Sequence, residues 1–273
     1  AGLGVAGKVG QEKGGRTHFV NAVWGYLLFF VSHKRAGDEV GKSLRLQLCT
    51  VLAEVIPKQY FDQLICTDDG STDKTIEVVK RNNIEFIINN HSGYGMNLFS
   101  GMKKAFELGA THVVELHGDG QYDFSYVKEM KDNFLNGSDL VLGNRFFNFK
   151  QPLRDGMPIH IYLGNIFLTI LGRVGLGINN NDLFQGLRGY SKNLFDKIET
   201  KNFNHDYRFS YEIIAQSYYL GLKISSVPTR CDYKGEHTTM PLRRAIPCIL
   251  HAIKIGFLFR LAKLGKKFSI YKI

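Results

Sequence analysis

His112-Val113-Val114-Glu115-Leu116-His117-Gly118-Asp119-Gly120-Gln121-Tyr122-Asp123 is a strand that runs abruptly into polar chemistry. Val113, Val114 and Leu116 carry the apolar pattern of a buried strand. The Gly118-Asp119-Gly120 step then frees the backbone where the chain should leave a sheet. In open α/β sheets, ligands bind outside the carboxyl ends of the strands. Asp119 and Gln121, two apart, are oxygen donors suited to a hard divalent cation that also holds a phosphate. An ordinary Gly-Asp turn uses the same residue types, so the meaning of this stretch depends on its surroundings.

Upstream, 25–32 has the pattern of a first core strand, followed by a polar loop and a helix over 40–55. A second strand over 63–67 ends in Asp68-Asp69-Gly70-Ser71-Thr72-Asp73. The helix after it, 74–81, can be capped by Ser71, Thr72 or Asp73. Asp68 and Asp69 repel each other at a strand end unless a ligand or cation uses them. A third strand over 85–89 leads through His91-Ser92-Gly93-Tyr94-Gly95-Met96-Asn97 into a helix over 98–108. Gly93 and Gly95 would let the backbone approach a ligand closely. Downstream come a helix near 126–134 and a strand over 139–143 that ends in Asn144-Arg145-Phe146. This alternation predicts a largely parallel α/β sheet with helices on both faces, and two acidic motifs on one sheet edge.

After residue 150 the pattern changes. An apolar helix over 162–175 precedes a polar loop over 177–182. A strand over 185–191 carries Arg188, a helix over 206–219 carries Arg208 and Glu212, and a strand over 223–227 meets Pro228. The polar segment 229–240 has no periodicity and suits a lid. Finally, 243–267 alternates Ile246, Ile249, Leu250, Ile253, Phe257 and Leu261 with Arg243, Arg244, Lys254, Arg260, Lys263, Lys266 and Lys267. A basic helix with a broad apolar face suits a membrane interface, and equally a helix packed on the core. The expected division is a leader over 1–18, one domain over 19–240 and a basic amphipathic segment over 241–273.

Composition narrows the partners. The chain has 273 residues, a formal charge of +10 and 44% hydrophobic residues, which is the make-up of a globular protein with anionic partners. Nucleic acid is not expected, because the cations gather at the tail without a basic-aromatic stripe. Cys49, Cys66, Cys231 and Cys248 lack metal-ligand spacing, and Cys49, Cys66 and Cys248 have the apolar neighbours of reduced core thiols. No apolar run looks long enough to cross a bilayer; 22–31 and 161–172 come nearest. Two short patterns are decoys. Gly2-Leu3-Gly4-Val5-Ala6-Gly7 fits a dinucleotide fingerprint but follows no strand. The 36–43 stretch ending in Gly41-Lys42-Ser43 fits a permissive phosphate loop, yet Asp38 and Glu39 would face the phosphates; an acidic helix start explains them better.

Taken in order, these motifs resemble the family-2 glycosyltransferases of the GT-A fold, over about 27–240. Asp68-Asp69-Gly70-Ser71-Thr72-Asp73 matches the family's DDGSTD. His117-Gly118-Asp119-Gly120-Gln121 stands where the family has D-x-D and a following Gln. Gly143-Asn144-Arg145-Phe146 matches G-S-R-F, and Asp182-Leu183-Phe184-Gln185-Gly186-Leu187-Arg188-Gly189-Tyr190 resembles D-x-x-S-G-F-R-A-Y. Within the family the likeness is greatest to dolichyl- and polyprenyl-phosphate sugar synthases and their bacterial relatives.

The resemblance implies a GT-A fold and inverting transfer of a sugar from a nucleotide sugar donor. It implies that Asp68 and Asp69 bind the nucleoside; Ser32, Gly93 and Gly95 are further candidates for the donor set. Asp119, with Gln121 and His117, would ligate Mg²⁺ or Mn²⁺ on the diphosphate and stabilise the leaving group. Arg145 and Arg188 would act beside Asp119 on a donor or acceptor phosphate. A polyprenyl phosphate acceptor is already an anionic nucleophile and needs no general base. A hydroxyl on a glycan or lipid-linked saccharide would need one, and Asp182 and Asp206 are the candidates. His117, Gln185 and the 32–36 stretch, where the family has P-x-Y-N-E, depart from the pattern. Without a terminal pair of spanning helices, the expected location is the cytoplasmic face of a membrane, by peripheral contact. Two other classes stay open: a phosphate-loop nucleotidase using Lys42 and Ser43, and a non-catalytic pseudo-glycosyltransferase, suggested by His117.

Overall fold

The computed structural model describes residues 26–32, 61–72, 74–117, 121–233 and 242–271. The 1–18 leader, the 36–43 decoy, the 40–55 helix, Asp119 and most of the 229–240 segment lie outside these residues.

Seven strands form one sheet: β1 (Tyr26–Ser32), β2 (Gln63–Asp68), β3 (Glu85–Ile88), β4 (His112–His117), β5 (Leu140–Asn144), β6 (Arg188–Ser191) and β7 (Ile224–Pro228). Their spatial order is β3-β2-β1-β4-β6-β5-β7. All neighbours are parallel except β6, which runs antiparallel between β4 and β5 with Arg188 opposite both Glu115 and Leu142. The largely parallel sheet expected from the alternation is present, with this one reversed strand in its middle.

Strand pleating divides the core into two layers. Ile65, Val113, Leu140 and Leu142 face one layer, and Cys66, Val114, Leu116 and Val141 face the other. The first layer is covered by α2 (Tyr94–Glu107), whose Leu98, Met102, Ala105 and Phe106 repeat at helical spacing. It is also covered by the almost wholly buried α7 (Phe209–Tyr219). The second layer is covered by α1 (Thr75–Arg81), through Val79, and by α3 (Val127–Leu135), through Val127, Met130 and Phe134. Helices therefore sit on both faces, as the alternation requires.

Local chemistry moved several boundaries. The residue flanking the start of α1 is Lys74, whose side chain makes no cap; Asp73 lies outside the described residues. In turn, α2 starts at Tyr94, so the glycine-containing loop is shorter than 91–97 and Gly95 lies in the helix. Gly93, at φ +88°, makes the turn into that helix.

Two further helices stand on the outside. The short α4 (Gln151–Arg154) and α6 (Lys192–Lys197) are connectors, whereas α5 (Ile159–Leu176) and α8 (Leu242–Lys263) pack on each other. They meet at Gly175 and Gly256, where an added Cβ would come within 2.8 Å of the facing Cα. Arg260 of α8 also donates to the Val174 and Gly175 carbonyls, which satisfies the C-terminus of α5. The sequence reading found no apolar segment long enough to cross a bilayer. This needs correction: Ile159–Leu176 and Ala245–Lys263 are both long and apolar enough by length and composition. Interspersed glycines and lone polar residues had hidden the length of the first, and His251, Lys254 and Arg260 inside it that of the second.

Candidate functional site

The parallel strands deliver their carboxyl ends to a common edge. Ser32 pairs with Asp68, and Val31 pairs with His117, so the ends of β2, β1 and β4 lie side by side. Arg145 follows β5 at the same edge. Because β6 runs backwards, the 182–187 loop that feeds it also arrives there.

Asp68 and Asp69 are both buried, and each binds backbone amides. Asp68 accepts from Gly70 N at 3.1 Å and Ser71 N at 2.8 Å, and from the Ser71 hydroxyl. Asp69 accepts from Ser92 N at 2.7 Å, Ser92 Oγ at 3.0 Å and Gly93 N at 3.0 Å. Their mutual repulsion is thus relieved by two different loops. Asp68 closes its own turn, and Asp69 ties β2 to the start of α2.

Gly93 and Gly95 are close-approach positions, but the partner is the protein itself. An added Cβ at Gly93 would lie 2.5 Å from the His205 carbonyl oxygen, and one at Gly95 would lie 2.5 Å from Phe209 Cβ. Gly95 N also donates to that carbonyl at 2.7 Å. At both positions the missing side chain admits the segment leading into α7.

The centre of the site is a residue the motif reading passed over. Glu115 is fully buried in β4. It accepts from the Tyr94 hydroxyl and from Tyr190 Oη at 2.7 Å, and its Oε1 lies 3.1 Å from His117 Nε2. The Arg188 guanidinium stands 3.8 Å away as an ion pair, with its Nη1 making no hydrogen bond. Burial opposes ionisation of Glu115, but the His117 hydrogen bond and then the Arg188 charge outweigh it and hold the carboxyl below its ordinary value. The signal was present in the sequence. A glutamate inside an apolar strand, two residues before a histidine, shares that histidine's face.

His117 is half-buried and held by its neighbours. Its ring stands edge-on to Tyr94 and Tyr122, at centroid distances of 5.8 and 5.5 Å. It also rests on Gly186, where any Cβ would collide with it. Tyr122 accepts from Gly186 N at 2.8 Å, and Gln121 O accepts from Asp232 N at 2.9 Å, so this loop is braced on both flanks.

Arg145 is buried in a two-pronged ion pair with Asp182, at 2.7 Å from Nε and 2.9 Å from Nη2. Tyr233 Oη accepts from its Nη1 at 2.9 Å and Asn165 Oδ1 from its Nη2 at 3.2 Å. Burial works against the charge, but Asp182 more than restores it, so Arg145 is cationic throughout. Asp182 also accepts from Arg145 N at 3.1 Å. Asp206 is likewise taken by Arg208, at 2.8 Å. Both carboxylates considered as general bases are thus engaged by arginines.

Among the described residues, no group of three or more His, Cys, Asp or Glu is arranged to hold a metal ion. The described donors at the end of β4 are the His117 ring and Gln121; Asp119 lies between them in sequence, outside the described residues. Nε2 of His117 faces Glu115.

The chain's likeness to known proteins agrees with this geometry. The model of glycosyl transferase family 2 matches residues 39–199. An uncharacterized protein of Methanocaldococcus jannaschii is 29% identical over 182 residues, covering 65% of this chain and 73% of that protein. The UDP-N-acetylglucosamine--dolichyl-phosphate N-acetylglucosaminyltransferase of Methanococcus voltae is 27% identical over 225 residues, covering 76% and 87%. Among solved structures, glucosyl-3-phosphoglycerate synthase from Mycobacterium tuberculosis, in complex with Mn²⁺, UDP-glucose and phosphoglyceric acid, superposes with a TM-score of 0.59. It has 16% identity and covers 91% of this chain and 82% of that one, which establishes the shared GT-A fold. The family match spans more than half the chain and includes the acidic motifs at the sheet edge, so this chain belongs to glycosyl transferase family 2.

Proposed function

We propose that this glycosyltransferase moves a sugar from a nucleoside diphosphate sugar to a polyprenyl phosphate at a membrane face. The observation that carries the reading is the register at the sheet edge, where Ser32, Asp68 and His117 are neighbours across three strands. A nucleoside at β2 would then leave its diphosphate near β4. The acceptor is suggested by the Methanococcus voltae relative, whose name includes dolichyl phosphate. It is also supported by Asp182 and Asp206, both held by arginines, because a phosphate nucleophile needs no base.

Asp119, His117 and Gln121 would hold a divalent cation, which when bound neutralises charge on the departing diphosphate. An imidazole in this set favours Mn²⁺ over Mg²⁺, the harder ion. The protein's own share is positional. Glu115 holds His117, the 186 backbone supports its ring, and Asp69 fixes the loop beside the donor. Arg188, buried and without a hydrogen bond at Nη1, is the cation nearest this centre that has donor capacity in reserve.

Membrane contact would come from α5 and α8. Ile159, Leu163, Phe167, Ile170 and Val174 form an exposed stripe on α5, and Ile246, Leu250, Ile253 and Phe257 form another on α8. Cys248, Ala252, Ile255 and Phe259 bury the opposite side of α8 in the core. A helix with one face in the core and the other apolar and exposed suits lying in the interface rather than crossing it.

Calorimetry with UDP- and GDP-sugars, with and without Mn²⁺, tests the donor. Metal-dependent binding of a nucleotide sugar is expected, and Asp119→Ala should abolish it without unfolding the protein. Failure to bind any of them defeats the reading. Transfer of labelled sugar into a lipid product labile to mild acid identifies the phosphate acceptor; an acid-stable glycoside would identify a hydroxyl instead.

A further inference from the structure

We infer that Gln185 recognises hydroxyl groups of the transferred sugar, a specificity role that rests on the glycosyltransferase reading above. Its side chain is 2% exposed, and neither Nε2 nor Oε1 has a hydrogen-bond partner. A buried polar atom without a partner is unfavourable, so an apolar side chain of equal size would serve the fold better. The amide occupies the space that a side chain at Gly143 would take: a Cβ added there would lie 1.6 Å from Gln185 Nε2 and 3.0 Å from the Thr229 methyl group. Its backbone neighbour Gly186 touches His117. Gln185 therefore belongs to the wall of the site while contributing nothing to its internal bonding.

The chemistry of the missing partner follows from what the amide offers. It has a donor on one atom and an acceptor on the other. A phosphate accepts only, and would set its oxygens against Oε1. Vicinal hydroxyls of a sugar ring both donate and accept, and satisfy the two atoms together.

Position selects the same partner. Across the sheet the order is β2, β1, β4, β6, β5. With the nucleoside at β2 and the diphosphate at β4, the donor's next group lies toward β5, two strand spacings or roughly 10 Å beyond. Gly143 in β5 is where the Gln185 amide rests. A base-recognition role is disfavoured by the same order, because β5 is four strands from β2. The amide is shielded from solvent in the ligand-free chain, so it swings out, or its cover opens, when sugar enters.

The test is titration calorimetry in Mn²⁺ with UDP, UDP-glucose, UDP-N-acetylglucosamine, GDP and GDP-mannose, on the wild type and Gln185→Met. Methionine keeps the volume and the unbranched stem. The variant should bind bare nucleotide as the wild type does, but lose about tenfold in affinity for the preferred nucleotide sugar, the worth of a pair of hydrogen bonds. Its thermal stability should match or exceed that of the wild type. An unchanged ratio of nucleotide-sugar to bare-nucleotide affinity overturns the assignment. Wild type that binds none of the five overturns the donor reading, and this inference with it. Should the methionine variant not fold, Gln185→Ser, the residue of the family pattern, carries the same comparison.

Discussion

If His117 ligates the cation as proposed, a histidine in place of the first acid of the D-x-D pattern bears on which ions the site prefers. His117→Asp should shift the metal preference of nucleotide binding toward Mg²⁺, because a carboxylate suits the harder ion and imidazole the softer. Titrations of nucleotide in each ion would show it; an unaltered Mn²⁺-to-Mg²⁺ ratio would remove His117 from the ligand set. The Arg145–Asp182 pair makes a different kind of forecast. With both partners buried, Asp182→Ala leaves a guanidinium uncompensated and should cost about 3–5 kcal/mol in urea unfolding. Replacing both partners by apolar residues should recover much of that loss, which a surface pair would not do. At this scale the sequence announced the acids at 68 and 69 but not what they bind, because their partners are the backbone amides of 70–71 and 92–93. Backbone donors have no letter in the sequence. Gly93 and Gly95 were visible as tight positions for the same reason that their neighbours were not: a missing side chain signals close approach without naming what approaches.

Among the elements, the strands from β2 to β5 were legible because each is a short apolar run bounded by turn residues. The direction of β6 was not, since nothing local distinguishes a strand that runs up a sheet from one that runs down. The two outer helices were legible as helices, but the face each presents depends on what packs beneath it. In the structure Leu163 and Phe167 on α5, and Leu250 and Phe257 on α8, point outward. Replacing Leu163 and Leu250 together by glutamate should therefore leave thermal stability within a degree or two of the wild type, since exposed positions carry little of it. The same pair should weaken sedimentation with anionic vesicles by about an order of magnitude, at some 0.8 kcal/mol per buried CH₂ lost from the bilayer. Vesicle binding that survives the double change would place membrane contact elsewhere, and a large fall in stability would show these residues to be core.

For the whole molecule, the sequence-level order of motifs proved less informative than their order across the sheet. The acids after β2 and the histidine at the end of β4 are separated by 49 positions in the chain, from 68 to 117, yet by a single strand in space. That arrangement follows from parallel pairing with helical crossovers, which alternation alone predicts. The placement of the 182–190 motif could not be predicted in this way, because it depends on the one strand that breaks the rule. The reversed strand also has a temporal consequence. β4 and β5 are made early but have no edge to share until β6, 44 positions after β5 ends at Asn144, wedges between them. A nascent chain halted before 188 should thus hold β3, β2, β1 and β4 together while β5 stays unpaired. Pulsed hydrogen exchange during refolding should protect 63–68 and 112–117 before 140–144 and 224–228, and the last two should gain protection together with 188–191. On this account the chain builds the edge that carries Asp68 and His117 first, and the side that carries Arg145 closes only when the last central strand arrives.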